Sequence, residues 1–302
     1  MTASVSASRQ VSATLATVPI AVITFDFDPV LDLGDITIRW QTVALAATIF
    51  VTLCIAAAFA RRTRLRADDL LFVVVGIVPG AVIGGRLGAV LAHADYYGAN
   101  SGGILDPGQG TLTLSLAVAG GTLTGAVIAR LLGAPIRRWL HVAALPVLLG
   151  LGAGKLGMVL AAAGQGVPSE LPWATAYLGP GPWSTLAPEI PSHPAQVYEA
   201  LVALTVLAVV ATTFSVGGFR EPTGRAFFIG IAAWAFGRFV VGLLWRDADV
   251  LGPFGVEQLL TLAVGVTFLA LAFVPANAGA VLRQARPQRS PEWPDPSSRP
   301  PF

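Results

Sequence analysis

Three cations stand inside apolar stretches of the chain: Arg86 in LFVVVGIVPGAVIGGRLGAVLAH, Lys155 in HVAALPVLLGLGAGKLGMVLAAA and Arg238 in RAFFIGIAAWAFGRFVVGLLW. They follow the segment starts at Leu70, His141 and Arg225 by about 16, 14 and 13 positions, which at about 1.5 Å per residue puts them in one layer. A cation in hydrocarbon costs at least about 2.5–3.5 kcal/mol, so three at one depth need a shared reason. An anion held between helices supplies it, and in a membrane the most abundant anion is a lipid phosphate.

Acidic and titratable partners follow nearby. SHPAQVYEAL opens a further apolar run, with Ser192 or His193 placed to cap a helix and Pro194 suited to its first turn. Gln196 and Glu199, three apart, then share a face. Glu199 reads either as a counter-charge to a buried cation or as a general acid or base. Glu257 in PFGVEQLLTL carries the same two readings, and His193 needs little adjustment to work as a base near neutral pH.

The elements that position these groups are membrane helices. The chain is 54% hydrophobic and 12% charged, with apolar runs long enough to cross about 30 Å of hydrocarbon. The runs are continuous rather than alternating, so the fold expected is an all-α integral membrane protein, not a barrel. Seven spans are drawn at 39–60, 70–92, 112–132, 141–163, 195–216, 225–245 and 255–275. They form a domain over 39–275, preceded by an outer segment at 1–38 and followed by a tail at 276–302. Arginines cluster after the first, third, fifth and seventh spans, at 61–66, 130–138, 220–225 and 283–299. The positive-inside rule then places the N-terminus outside and the C-terminus inside, with the cation layer in the outer half.

The same charge pattern explains the pI near 9 and removes the need for a nucleic-acid partner. No cleavable signal peptide is read in the first residues, and the Pro-, Ser- and Arg-rich tail is expected to be disordered. Cys54, in the middle of a span, is expected to pack. The outer loops 93–111 and 164–194 are long enough to carry function, with Trp173, Tyr177 and Trp183 expected at the headgroup level. Gly150, Gly152, Gly154 and Gly157 suit close helix packing and would also leave room for a headgroup beside Lys155.

Over most of residues 25–275 the chain resembles the bacterial phosphatidylglycerol–prolipoprotein diacylglyceryl transferases. The resemblance rests on FDPVLDLGDITIRWQ, GGRLGAVL, AGGTLTG, LGAGKLG with Gly166 nine residues on, HPAQVYEAL and GRFVVGLLWRDAD, in that order. It implies transfer of a diacylglyceryl group from phosphatidylglycerol to the lipobox cysteine of a prolipoprotein at the outer side of the cytoplasmic membrane, without a metal or other cofactor. Phosphatidylglycerol, a prolipoprotein signal-peptide segment and membrane lipids are the implied partners. Lys155 and Arg238 fall where the family has phosphate-binding arginines, and Arg86 joins them as a phosphate ligand. His193 and Glu199 are the catalytic candidates, with Gly166, Gln196, Arg246 and Glu257 in support. The sequence departs from the family pattern at Gln41, Ala119, Met158, Ala163 and Gly242, where the family has tyrosine, histidine, asparagine, glutamate and glutamate. Acid–base groups are then either relocated, to His193, Glu199 or His93, or lost. The alternatives are a phospholipid-binding protein on the same scaffold and an anion transporter, the latter disfavoured by the lack of an internal repeat.

Overall fold

A computed structural model describes residues 22–106 and 112–275. The expectations for the extreme N-terminus and for the tail at 276–302 fall outside these residues.

Seven helices are long and apolar enough to span a membrane. They are α1 (Trp40–Arg62), α2 (Ala67–Ala92), α4 (Leu114–Leu131), α5 (Ile136–Met158), α6 (Ala195–Ser215), α7 (Arg225–Val241) and α8 (Val256–Phe273), with α3 (Ala94–Ala99) a short helix between α2 and α4. The fourth span begins at Ile136 rather than 141, because the arginine pair Arg137 and Arg138 lies within the first helical turn instead of ahead of it. One end of the bundle is arginine-rich, with arginines partly inside the helix ends (Arg61 and Arg62 of α1, Arg130 of α4, Arg137 and Arg138 of α5, Arg225 of α7) and partly in the connections (Arg64, Arg66 and Arg220). The other end carries the longer connections. Counted from the loop-bearing ends of their spans, at Ala92, Ala161 and Leu244, the residues Arg86, Lys155 and Arg238 are each six positions in.

Helices α2 and α4 touch backbone to backbone. A Cβ on Gly120 would lie 2.1 Å from the Gly80 carbonyl oxygen, and one on Gly84 would lie 2.2 Å from that of Leu116. Only glycine permits this approach, the small-residue device that lets membrane helices gain van der Waals contact where lipid is as apolar as the side chains. The run AGGTLTG therefore serves packing, and Ala119 within it lies against the main apolar cluster. That cluster joins α5, α6, α7 and α8 around Leu148, Phe227, Ile231, Trp234 and Phe268. Between α1, α2, α4, α5 and α7 a cavity of about 410 Å³ is lined by residues such as Thr52, Ile77, Gly121, Val147, Gly150 and Phe227. Cys54 is exposed on the surface of α1, not packed inside as expected.

The loop-bearing end is ordered by small strands. The parallel pair β1 (Ile23–Phe25) and β4 (Thr175–Tyr177) joins the N-terminal segment to the connection between α5 and α6. The antiparallel pair β2 (Val30–Asp32) and β3 (Thr37–Arg39) leads into α1. Two of the acidic residues there shape turns: Asp28 accepts from the Val30 N–H at 2.9 Å and Asp32 from the Gly34 N–H at 3.1 Å. Tyr177, expected at the headgroup level, is instead 1% exposed, because β4 holds it against Phe25 and Trp183. Trp173 remains exposed.

Candidate functional site

Near the loop-bearing end of the bundle, α5, α6 and α7 bring three charged side chains together in a buried position. Lys155 Nζ lies 3.0 Å from Glu199 Oε2, and Arg238 Nη1 contacts that same oxygen. Arg238 Nη2 donates to Glu257 Oε1 on α8 at 2.6 Å, and its guanidinium stacks 4.4 Å from the Trp245 ring centre. Lys155, Glu199 and Arg238 are 9%, 2% and 3% exposed, while Glu257 is half-buried. Two cations and two carboxylates balance, which is what makes such burial tolerable, since removing one partner of a buried pair leaves an uncompensated charge.

The local sequence explains this convergence. Gly152 lies against Leu204 and the Ala200 carbonyl, so α5 and α6 approach closely just below Lys155. A Cβ on Gly154 would meet nothing within 4 Å, leaving open space beside the lysine's helix turn. Placement of Glu199 on the first turns of α6 depends on where that helix starts. Arg246 fixes that point by donating to the Gly166 carbonyl at 2.6 Å, the Leu186 carbonyl at 3.0 Å and Ser192 Oγ at 2.7 Å. Gly166 is required there, because a Cβ would lie 2.4 Å from the Leu244 carbonyl oxygen. Its N–H donates to the His193 carbonyl at 2.8 Å.

The other candidates are arranged differently. Arg86 turns to the connection that follows α3, donating to the carbonyls of Ile104 at 2.7 Å and Asp106 at 2.9 Å and to that of Gly103. Equal depth therefore does not bring it into the Lys155–Arg238 cluster; it braces a loop. The His193 ring nitrogen Nδ1 lies 3.3 Å from Tyr198 Oη, which also accepts from Trp173 Nε1 at 2.8 Å. His193 thus belongs to a surface chain of aromatic residues, not to the charged cluster. Gln196 is fully buried one helical turn from Glu199.

Asp247 is a member that sequence reasoning missed. Loss of surrounding water raises its carboxyl above the usual range and Glu257 adds to this, while His93 and Arg238 oppose it. Its position two residues past Trp245, facing Gly255 at the start of α8, was hidden in the run RDAD. At one position where the chain departs from the pattern, Gly242, another side chain fills the space. A side chain at Gly242 would meet Gln258 Cγ at 2.9 Å, and Gln258 fills that space while donating to the Phe239 carbonyl at 2.7 Å. Ala119 packs against the main apolar cluster and, as alanine, supplies no acid or base.

The arrangement can hold an anion with two buried cations, one of them a guanidinium able to fork onto two oxygens, in surroundings where charge–charge attraction is strong. Comparison with known proteins agrees with such chemistry. A family model described as prolipoprotein diacylglyceryl transferase matches residues 29–274. Among curated proteins named phosphatidylglycerol–prolipoprotein diacylglyceryl transferase, one from a Nostoc species is 28% identical, covering 85% of this chain and 93% of its own length. Another from Rhodospirillum centenum is 34% identical over 82% and 87%, and one from Geobacter sulfurreducens 29% over 81% and 94%.

Proposed function

Because the chain belongs to the prolipoprotein diacylglyceryl transferase family, we propose that it moves a diacylglyceryl group from phosphatidylglycerol to the lipobox cysteine of prolipoproteins, using Lys155 and Arg238 to hold the lipid phosphate. The observation that carries this reading is the buried pair of cations bridged by Glu199, six residues inside the loop-bearing ends of their helices.

The reaction forms a bond from the cysteine sulfur to a glycerol carbon and breaks that carbon's bond to the phosphate oxygen. The electron pair of the broken bond stays on phosphate, where Lys155 and Arg238 stabilise it as it develops. The thiol proton ends on the same phosphate, so the products are a thioether and glycerol phosphate. No resident histidine is required for this balance, which accommodates Ala119. Glu199 is the internal counter-ion that keeps the two cations in place before the lipid arrives, and Glu257 holds the far side of the Arg238 fork. Lys155 acts as a point charge beside the directional guanidinium. The cavity between α1, α2, α4, α5 and α7 includes Gly150, five residues deeper on α5 than Lys155, and suits an acyl chain.

The arginine-rich end is cytoplasmic in this reading, which turns the site outward in a bacterial cytoplasmic membrane. A lipobox peptide added to right-side-out membrane vesicles holding the chain and labelled phosphatidylglycerol is expected to become labelled, with little modification in sealed inside-out vesicles. Absence of transfer in both would contradict the activity. Transfer confined to inside-out vesicles would reverse the orientation.

A further inference from the structure

Lys155 and Arg238 address a phosphate, and every phospholipid carries one. Selecting phosphatidylglycerol requires groups that recognise its headgroup hydroxyls, because a site built to hydrogen-bond a hydroxyl rejects a ligand without one. The structure holds such groups one turn of α6 from Glu199, toward the loop-bearing end. Gln196 is 0% exposed; its Nε2 lies 3.5 Å from Tyr177 Oη, and its Oε1 has no hydrogen-bond partner among the described residues. Turning the amide end for end would leave Nε2 without a partner instead, so one polar atom is unmet either way. Gln165 repeats the pattern at 5% exposure: Nε2 donates to the Thr175 carbonyl at 3.0 Å, and Oε1 is unpartnered among the described residues. Thr175 and Tyr177 are two residues apart on β4, so both glutamines contact the same strand.

Buried polar atoms are almost always hydrogen-bonded, and two unmet amide oxygens on glutamines that contact one strand point to a ligand with donors. We propose that Gln196, Gln165 and Tyr177 form the subsite that reads the glycerol hydroxyls of phosphatidylglycerol, beyond the phosphate held by Lys155 and Arg238. This rests on the phosphate-binding reading of those two cations. The direction along α6 is consistent: the acyl cavity lies deeper than Lys155, and Gln196 lies on the opposite side of Glu199. Burial raises the Tyr177 phenol to about 12, the Gln196 contact opposing, so its O–H remains a donor throughout the physiological range. Stacking with Phe25 at 4.9 Å and contact with Trp183 at 5.0 Å fix the ring. Gly164, whose φ is +76°, passes beside this glutamine: a Cβ there would lie 3.6 Å from Gln196 Cβ.

The test compares phosphatidylglycerol with phosphatidylethanol, which has the same phosphodiester charge and no headgroup hydroxyl, by native mass spectrometry of the detergent-solubilised chain. Wild type is expected to bind phosphatidylglycerol about tenfold or more tightly than phosphatidylethanol, the worth of about one well-made hydrogen bond. Gln196→Leu is expected to bring the ratio to within about twofold by weakening phosphatidylglycerol alone, and Tyr177→Phe, which keeps the ring packing, to reduce it partway. Equal wild-type affinity for the two lipids would overturn the subsite while leaving the phosphate site standing. Equal weakening of both lipids in Gln196→Leu, with an unchanged ratio in Tyr177→Phe, would also overturn it. Wild type that binds neither lipid would instead remove the phosphate reading beneath it, and the subsite with it.

Discussion

Arg238→Ala is expected to lower diacylglyceryl transfer about 10²–10³-fold, the usual cost of removing one group that stabilises developing negative charge. Arg238 is also structural. It touches Glu199, donates to Glu257 at 2.6 Å and stacks on Trp245, all while 3% exposed. Its loss strands Glu257 and leaves Glu199 with Lys155 alone, so stability is expected to fall by about 3–5 kcal/mol. Arg238→Lys separates the two effects. An ammonium restores the charge but not the fork, so the variant should recover most of the stability while transfer stays at least about tenfold below wild type. Steady-state transfer rates alongside unfolding in detergent check both. Wild-type transfer by Arg238→Ala would show that this guanidinium does not touch the reacting phosphate.

Glu199→Gln is expected to be the most destabilising change that keeps the side-chain shape. It removes the carboxylate shared by Lys155 and Arg238, which then lie close together with Glu257 as the remaining ion-pair partner. The cost is about 3–5 kcal/mol in a zwitterionic detergent. Phosphatidylglycerol should restore more stability to the variant than it adds to wild type, because its phosphate replaces the lost charge. Transfer measured in phosphatidylglycerol is expected to stay within about tenfold of wild type. A general base in this position would instead cost 10²–10⁴-fold, within the range for proton-transfer catalysis. Loss on that scale, in protein shown to be folded, would make Glu199 the thiol's base and contradict its assignment as counter-ion.

The helices were legible in the sequence because hydrocarbon demands long apolar runs, and six of the seven spans match closely in extent. The fourth was shortened at its start because Arg137 and Arg138 read as loop, whereas arginine side chains at a helix end extend past the apolar zone while their backbone stays helical. Lys155, Glu199 and Arg238 were legible for a similar reason: burying a charge is costly, so an acid on an adjoining helix at matching depth is a natural partner. Arg86 shared that depth yet turned to Gly103, Ile104 and Asp106. Depth gives height along a helix and not direction around it, and the neighbouring Gly84, Gly85 and Gly88 commit one side of α2 to α4.

The loop-bearing end was the least legible part. β1 and β4 are three-residue strands paired across about 150 residues of sequence, too short to carry a period of their own. Without that pairing Tyr177 looks like an interfacial aromatic, and its meeting with Gln196 leaves no trace in local sequence. Asp247 was hidden likewise, since its environment comes from α8 and the end of α2. The apolar cavity is also a property of packing: small residues such as Gly121 and Gly150 face it from different helices.

The most direct measurement is an experimental structure of the chain with a phosphatidylglycerol analogue in which a methylene replaces the oxygen linking diacylglycerol to phosphorus. The expected result is a phosphonate between Lys155 Nζ and the Arg238 guanidinium, at charge-assisted distances of about 2.7–2.9 Å, with Glu199 withdrawn from at least one of them and an acyl chain in the cavity beside Gly150. A headgroup held by Arg86 or on the bundle surface, with both Glu199 ion pairs intact, would contradict the account.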